Sequence, residues 1–303
     1  MCASPLMKQS SSKQYSTYEP EIKCPVCNQT MNYASNANYY GSSSRYNSEI
    51  YHCCSCNILY RHVAEDIIND HYYAASYVQS RNEKRFYDSR IKFFGYILSL
   101  VKKYSKYPHK NNNDGLSILD FGSSYGHLLD LAKEEGFKVI GIEVNENLID
   151  ACRKRGLTVY EGFNEISEKV DVITMIDSLY CVPNCRHIMS EVKRCLKHDG
   201  IVIARVTNRN FYARLNILIF RRDNMNLLGD AIVNYSLKGL RKLFISTGFK
   251  VLSVLPDYAR GKNISVWKKM CYLFTYLVTI LTMNNVMLTP GIIIIAKLND
   301  STE

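Results

Sequence analysis

Ser117-Ile118-Leu119-Asp120-Phe121-Gly122-Ser123-Ser124-Tyr125-Gly126-His127-Leu128-Leu129 is the stretch that decides the fold of this chain. An apolar strand runs into an acid, two glycines frame a tight turn, and an apolar helix follows at once. Seventeen residues after Gly126, a second strand, Lys138-Val139-Ile140-Gly141-Ile142, ends in Glu143. Strand, glycine turn, helix, strand and acid together describe a nucleotide-type cofactor site at the top of a parallel sheet. The glycines let the backbone come close to a ligand. The acid closing the second strand, Glu143, is placed to accept hydrogen bonds from a ribose diol.

The details of the turn select among cofactors. A dinucleotide fingerprint, G-x-G-x-x-G, seats a pyrophosphate on a helix N-terminus. Here Asp120 stands two residues before the first glycine, where it repels a pyrophosphate and suits a cationic ligand. The stretch resembles motif I of the class I S-adenosylmethionine-dependent methyltransferases, D-x-G-x-G-x-G, with Ser124 replacing the middle glycine. Serine is small enough for the turn but carries a steric penalty if φ is positive there. The resemblance implies Asp120, Gly122, Ser123 and Gly126 around the methionine portion of S-adenosylmethionine. It implies the adenine near Glu161-Gly162-Phe163. The competing reading is a strand-turn-helix with no ligand, and the rest of the chain weighs against it.

Strands are expected at 157–160, 170–175, 201–205, 250–254 and 292–296, separated by helical stretches. Residues 85–107 form a basic amphipathic helix leading into the sheet, followed by a polar breaker from Pro108 to Gly115. The fold class is α/β, a Rossmann-like seven-stranded sheet with a small N-terminal zinc-binding module. The resemblance implies that the seventh strand inserts antiparallel. Ser236 is expected to cap a helix that closes at Gly248.

The N-terminal module rests on two C-x-x-C knuckles, Cys24-Pro25-Val26-Cys27 and Cys53-Cys54-Ser55-Cys56, with 25 residues between them. Each knuckle can present two thiolates to one tetrahedral Zn²⁺, with Cys54 and His52 as substitute ligands. The stretch between them is rich in Asn, Ser and Tyr and reads as turns or a loose hairpin. Tyr39, Tyr40 and Tyr46 either stack on a substrate or cover a small core. Knuckle pair, then His71-Tyr72-Tyr73 and Tyr77, then the sheet, resembles a bacterial group of methyltransferases in glycan and natural-product pathways.

Composition is consistent with this layout. A chain of 303 residues holds one large domain and a small module. Eleven cysteines with no secretory h-region in residues 1–18 point to reduced thiols and a cytoplasmic location. A formal charge of +10 favours anionic partners: nucleic acid, phosphorylated sugars or membrane surfaces. The expected divisions are a flexible N-terminus (1–20), the zinc-binding module (21–62), a helical entry segment (63–115) and an S-adenosylmethionine-dependent methyltransferase domain (116–298).

The acceptor side is expected past the fourth strand, at Asp177-Ser178-Leu179-Tyr180-Cys181. Similar methyltransferases often carry a Glu-His pair where Tyr180-Cys181 stands. Asp177, His127, Tyr180 and His187 are the candidates for moving a proton, and Asp177 is also a candidate cofactor contact. Each of Asp177 and Tyr180 also reads as pocket wall, and His127 as a residue opening its helix. Arg205, Asn208 and Arg209 either bind an acceptor anion or sit on the surface. Residues 268–283 form an amphipathic helix, either packed between the last two strands or touching a membrane surface. Three functions compete: methyl transfer to a small-molecule or sugar acceptor, methylation of an rRNA or tRNA base, and non-catalytic cofactor binding or scaffolding. No dense Arg/Lys stripe or base-flipping N/D-P-P-Y motif supports RNA.

Overall fold

A computed structural model describes residues 21–40, 45–64, 66–68, 83–105, 115–209, 228–257, 266–282 and 286–299. It opens with β1 (Asn32–Tyr40) and β2 (Arg45–Cys53), and β3 (Ile58–His62) pairs with β2. The polar stretch expected as a loose hairpin is thus a regular one. Its period-two pattern turns Ala37, Ser48 and Ile50 inward and Asn36, Asn47 and Glu49 outward. Ala37 and Ile50 meet Leu59 and Leu228 in a small core. Tyr46 packs, half-buried, against the main core. The side chains of Tyr39 and Tyr40, and His71, Tyr72, Tyr73 and Tyr77 altogether, lie outside the described residues.

The large layer follows in the order α1 (Glu83–Tyr104), β4 (Ser117–Phe121), α2 (His127–Glu134), β5 (Lys138–Ile142), α3 (Glu146–Lys154), β6 (Val159–Tyr160) and β7 (Val170–Ile176). Then come α4 (Cys185–Cys195), β8 (Leu196–Thr207), β9 (Val233–Asn234), α5 (Leu237–Ser246), β10 (Phe249–Asp257), α6 (Val266–Leu281) and β11 (Gly291–Leu298). Seven strands align as β10-β11-β8-β7-β4-β5-β6. The pairs from β8 to β6 are parallel, and β11 runs antiparallel between β8 and β10. Seven strands with the last one inserted in reverse is the expected sheet. Phe94, Ile97, Leu98 and Val101 of α1 cover one face, against Ile118, Val172 and Ile203. Met189 and Val192 of α4 and Leu240 and Phe244 of α5 pack against the main core.

Side chains fix where three helices start. Asn145 accepts from Asn147 N, Asn184 from His187 N, and Ser236 from Gly239 N. The strand expected at 201–205 starts earlier, at Leu196. Residues 197–200 bulge out between the pairs Val170–Leu196 and Val172–Ile201, and Gly200 lies in that bulge.

The N-terminal sheet draws its fourth strand from far along the chain: β3 pairs with β9. Arg61, fully buried, donates to Ala231 O at 3.3 Å, Gly229 O at 2.9 Å and Ser48 Oγ at 2.6 Å. A lone arginine in a strand gives no sequence signal of this. It fastens the chain after β8 to the first hairpin.

α6 departs from the packed helix that was one of its two readings. Its apolar stripe, Met270, Leu273, Phe274, Leu277 and Leu281, faces solvent. Periodicity identifies a face but not the direction in which the face points. Among the described residues no helix is long and apolar enough to cross a membrane.

Candidate functional site

The turn after β4 is built from alternating left-handed residues: Gly122 at φ +77°, Ser124 at +50° and Gly126 at +73°. These are the three glycine positions of the D-x-G-x-G-x-G pattern. Gly122 cannot be replaced, because a Cβ there would lie 2.6 Å from Ser178 Cβ. Ser124 does adopt the positive φ that glycine serves, and its hydroxyl is buried without a hydrogen-bond partner. Left-handed strain and an orphaned hydroxyl both work against the folded state. Ser124→Gly is therefore expected to stabilise the fold by about 1 kcal/mol, seen as a higher Tm in thermal unfolding.

Glu143, at the end of β5, is nearly buried and closes the turn from the other side. Its Oε2 accepts from Ser124 N at 2.7 Å, and its Oε1 accepts from Val144 N at 2.9 Å and Asn145 N at 3.1 Å. Asp120 is fully enclosed. Burial pushes its carboxyl up to about 7, against the hydrogen bond donated by Thr174 Oγ1 at 2.7 Å and with the charge of Glu143. Two acids, Asp120 and Glu143, thus face the same corner of the turn.

A cavity of about 440 Å³ opens over the turn. Asp120, Gly122, Ser123, Glu143, His127, Asp177 and Tyr180 all line it, so most of the expected site residues are brought together. Gly126 shapes the turn behind it. Gly162 and Phe163 are not in the lining: Phe163 stacks on Phe121 at 5.3 Å between centroids and belongs to the core. His187 is exposed on α4. The hydroxyls of Ser123, Ser124 and Ser178 and Nε2 of His127 are buried in the wall without a hydrogen-bond partner. Buried polar atoms left unmet in one place mark where a polar ligand belongs.

On the opposite side runs a ladder of charges. Arg90 of α1 donates to Asp177 Oδ2 at 2.6 Å, Arg205 of β8 donates to Asp177 Oδ1, and the same guanidinium holds Asp257 Oδ2 at 2.8–2.9 Å. Asp177 sits at φ +62°, a strained conformation held by its surroundings. Burial opposes its charge, but the guanidiniums of Arg205 and Arg90 outweigh it and hold the carboxyl below its ordinary range. Asp177 is thereby a weak base. Tyr180 is buried, and burial followed by the charge of Asp177 raises its hydroxyl well above the usual phenol range. Burial lowers the His127 imidazole, with the charge of Glu83 opposing. Arg209 lies over the Tyr180 ring and pairs with Asp230 at 3.0 Å, while Asn208 donates to Met287 O and Thr289 O. Arg205 and Asn208 are thus engaged within the protein. Arg209, one of the three candidates for an acceptor anion, lines the cavity; Arg90 and Asp230 line it too and were not singled out, because each is a lone charge in a stretch without a motif.

The four knuckle thiols converge. The Sγ atoms of Cys24, Cys27, Cys53 and Cys56 lie within 4.8 Å of one another, with Cys27 and Cys53 3.6 Å apart. A tetrahedron with Zn–S bonds of about 2.3 Å has edges of about 3.8 Å. Both knuckles read C-x-x-C-N, and both asparagines, Asn28 and Asn57, are left-handed. Their amides return to Cys24 O and Cys53 O. Cys54 and His52 stand outside the cluster. His52 instead faces Asn57 Oδ1.

Comparison with known proteins gives a consistent picture. The family model for "Methyltransferase domain" matches residues 85–254, more than half of the chain. The C-methyltransferase NovU of Streptomyces niveus is 25% identical over 163 residues, 51% of this chain and 37% of that protein. A ubiquinone biosynthesis O-methyltransferase of Actinobacillus pleuropneumoniae is 32% identical over 120 residues, 35% of this chain and 51% of that protein. The chain thus spans about half or less of these curated relatives' length. Among solved structures, magnesium protoporphyrin IX methyltransferase of Synechocystis PCC 6803 is 14% identical with a TM-score of 0.49, covering 77% of this chain and 99% of that one.

Proposed function

The chain belongs to the methyltransferase domain family, and we propose that it transfers a methyl group from S-adenosylmethionine to a small-molecule or sugar-type acceptor. The observation that carries the reading is the wall of the cavity. Acids at Asp120 and Glu143 and three unmet serine hydroxyls suit a ligand with cationic and hydroxyl-bearing parts. A relative named as a C-methyltransferase and others named as O-methyltransferases support small acceptors that lose a proton. S-adenosylmethionine supplies an electrophilic methyl on a sulfonium.

In this reading Glu143 receives the ribose hydroxyls, and Asp120, Gly122, Ser123 and Gly126 flank the methionine portion. Phe163 acts only by backing Phe121, which lines the cavity, and Gly162 stays out of the lining. Asp177 fixes Arg90 and Arg205 at the acceptor side, where it works as an anchor and not as a base. Tyr180 donates a hydrogen bond to the acceptor. His127, whose Nε2 lies 3.6 Å from Glu83 Oε1, is the group in this wall that takes up a proton. Cavity walls exclude water and hold the acceptor in line, which supplies much of the rate. Cys24, Cys27, Cys53 and Cys56 hold one structural Zn²⁺, a closed site with all four positions filled by the protein.

Asp120 gives this reading a pH signature. Its raised pKa means that between about pH 4 and pH 7 the folded protein keeps a proton that the unfolded chain has shed. Stability from this group therefore falls as the pH rises through that window. A cationic ligand reverses the shift, so binding at about pH 6 is expected to release about one proton. Calorimetry in buffers of different ionisation enthalpy reads this directly; an unchanged apparent enthalpy would remove Asp120 from the cofactor's surroundings. The reading as a whole is tested by turnover with labelled S-adenosylmethionine across sugar, phenol and RNA acceptors. Transfer to a small acceptor supports it, and transfer to RNA alone, or to nothing despite cofactor binding, overturns it.

A further inference from the structure

α6 is amphipathic in reverse. Its outward face holds Val266, Met270, Leu273, Phe274, Tyr276, Leu277, Ile280 and Leu281, with Phe274 62% and Leu281 80% exposed. The face turned toward the protein holds Thr275, Val278, Thr279 and Thr282, with Thr279 fully buried. Those threonines are satisfied inside the helix: Thr279 Oγ1 donates to Thr275 O and Thr282 Oγ1 to Val278 O, both at 2.8 Å. A surface helix of a globular protein places these faces the other way round. Eight large apolar side chains along one face form a continuous patch of the kind that marks an interaction surface.

Charge selects the occupant. Between Asp257 and Asp300 the sequence has no acid and five cations: Arg260, Lys262, Lys268, Lys269 and Lys297. Lys268 and Lys269 fall in the first turn of the helix. The whole chain carries +10, so two copies brought together on this face repel, while an anionic surface attracts. Length sets the depth. Sixteen residues at about 1.5 Å each give about 24 Å, short of the roughly 30 Å hydrocarbon core. A helix of this length, apolar on one face and basic at its start, lies in a lipid interface and does not span it.

Topology places it beside the cavity. β10 ends at Asp257, which pairs with Gly291, and Gly291 pairs with Thr207 at the end of β8. The connection that carries α6 therefore leaves from the carboxyl edge of the parallel strands, where the cavity opens. Its root, Asp257, grips Arg205, which grips Asp177 in the cavity wall. We infer that α6 docks the protein on an anionic lipid surface, with Leu273, Phe274, Leu277 and Leu281 entering the acyl boundary and the cavity's edge held next to it.

The test needs no turnover, so its outcome is separate from that of the methyl-transfer reading. The full chain is sedimented with phosphatidylcholine vesicles, with and without phosphatidylglycerol, at low and high salt. Wild type is expected to bind the phosphatidylglycerol vesicles at least about tenfold more tightly than phosphatidylcholine alone, and to lose that margin in high salt. The variant carrying Leu277→Glu and Leu281→Glu is expected to bind about 100-fold more weakly with an unchanged Tm. Lys268→Gln with Lys269→Gln is expected to lose the salt-dependent part alone. Wild type remaining in the supernatant with phosphatidylglycerol vesicles overturns the inference. So does a lipid-free dimer, by light scattering, that the leucine variant converts to monomer, because the face then belongs to a second copy.

Discussion

Glu143→Ala is expected to weaken S-adenosylmethionine binding by about two orders of magnitude. The carboxylate at the end of β5 is the acceptor proposed for the ribose diol, and each hydrogen bond to a charged group contributes about 1.5–3 kcal/mol. One such bond lost is roughly tenfold or more, and the diol offers two. Glu143 also accepts from Ser124 N, Val144 N and Asn145 N, so alanine leaves three amides without their partner. Those amides shape the turn and the entry to α3. The variant is therefore also expected to unfold at a lower temperature, by about 2 kcal/mol of lost stability. Glu143→Gln separates the two effects: it keeps acceptor capacity for the turn and loses the charge. The expected order of affinity is wild type, then glutamine, then alanine, measured by calorimetry. Equal affinity in all three would place the ribose elsewhere.

Removing the zinc proposed for the four thiols is expected to destabilise the fold strongly. Apparent binding energies for structural zinc in small modules are about 10–16 kcal/mol, against total stabilities of about 5–15 kcal/mol. The loss does not stay within the knuckles, because the rest of the protein leans on them. Ser236 Oγ, the cap of α5, donates to Cys56 O at 2.8 Å, and Lys242 reaches Ser55 Oγ at 2.9 Å. Cys185 Sγ, at the start of α4, meets Pro25 O, and Arg186 donates to Val26 O. β3 then carries β9, and Arg61 holds the 229–231 backbone next to Asp230 at the cavity. Chelation, or Cys56→Ser, is expected to broaden the unfolding transition and lower the Tm by more than about 10 °C. Metal analysis of purified protein is expected to give about one zinc per chain. A metal-free chain with the wild-type Tm would show that the four thiols stand together without a structural ion.

The sheet was legible because its signals are local. Asp120, the glycine positions and Glu143 mark strand ends directly, and parallel strands need helices between them. The same pattern located the cavity, since ligands bind beyond the carboxyl ends of such strands. What escaped depends on distant pairing or direction. β9 is two residues long, and nothing in Val233-Asn234 announces that it joins a sheet begun near residue 32. The first hairpin was read only as turns or a loose hairpin, because alanine and serine hold two of its inward positions and give a weak apolar alternation. Phe163 was placed beside a ligand by resemblance, yet Phe121 lies between it and the cavity. Asp177 was identified as a site residue, but its two arginine partners come from α1 and β8, and only the fold shows that they remove its basicity.

The central claim is that the cavity over Gly122-Ser123-Ser124 is an S-adenosylmethionine site. The measurement that tests it most directly is calorimetric titration of S-adenosylmethionine and its demethylated product into zinc-loaded wild-type protein. Saturable binding of both at micromolar concentrations, to a single site per chain, is the predicted result. A folded protein, by its thermal transition, that takes up neither ligand would contradict the claim.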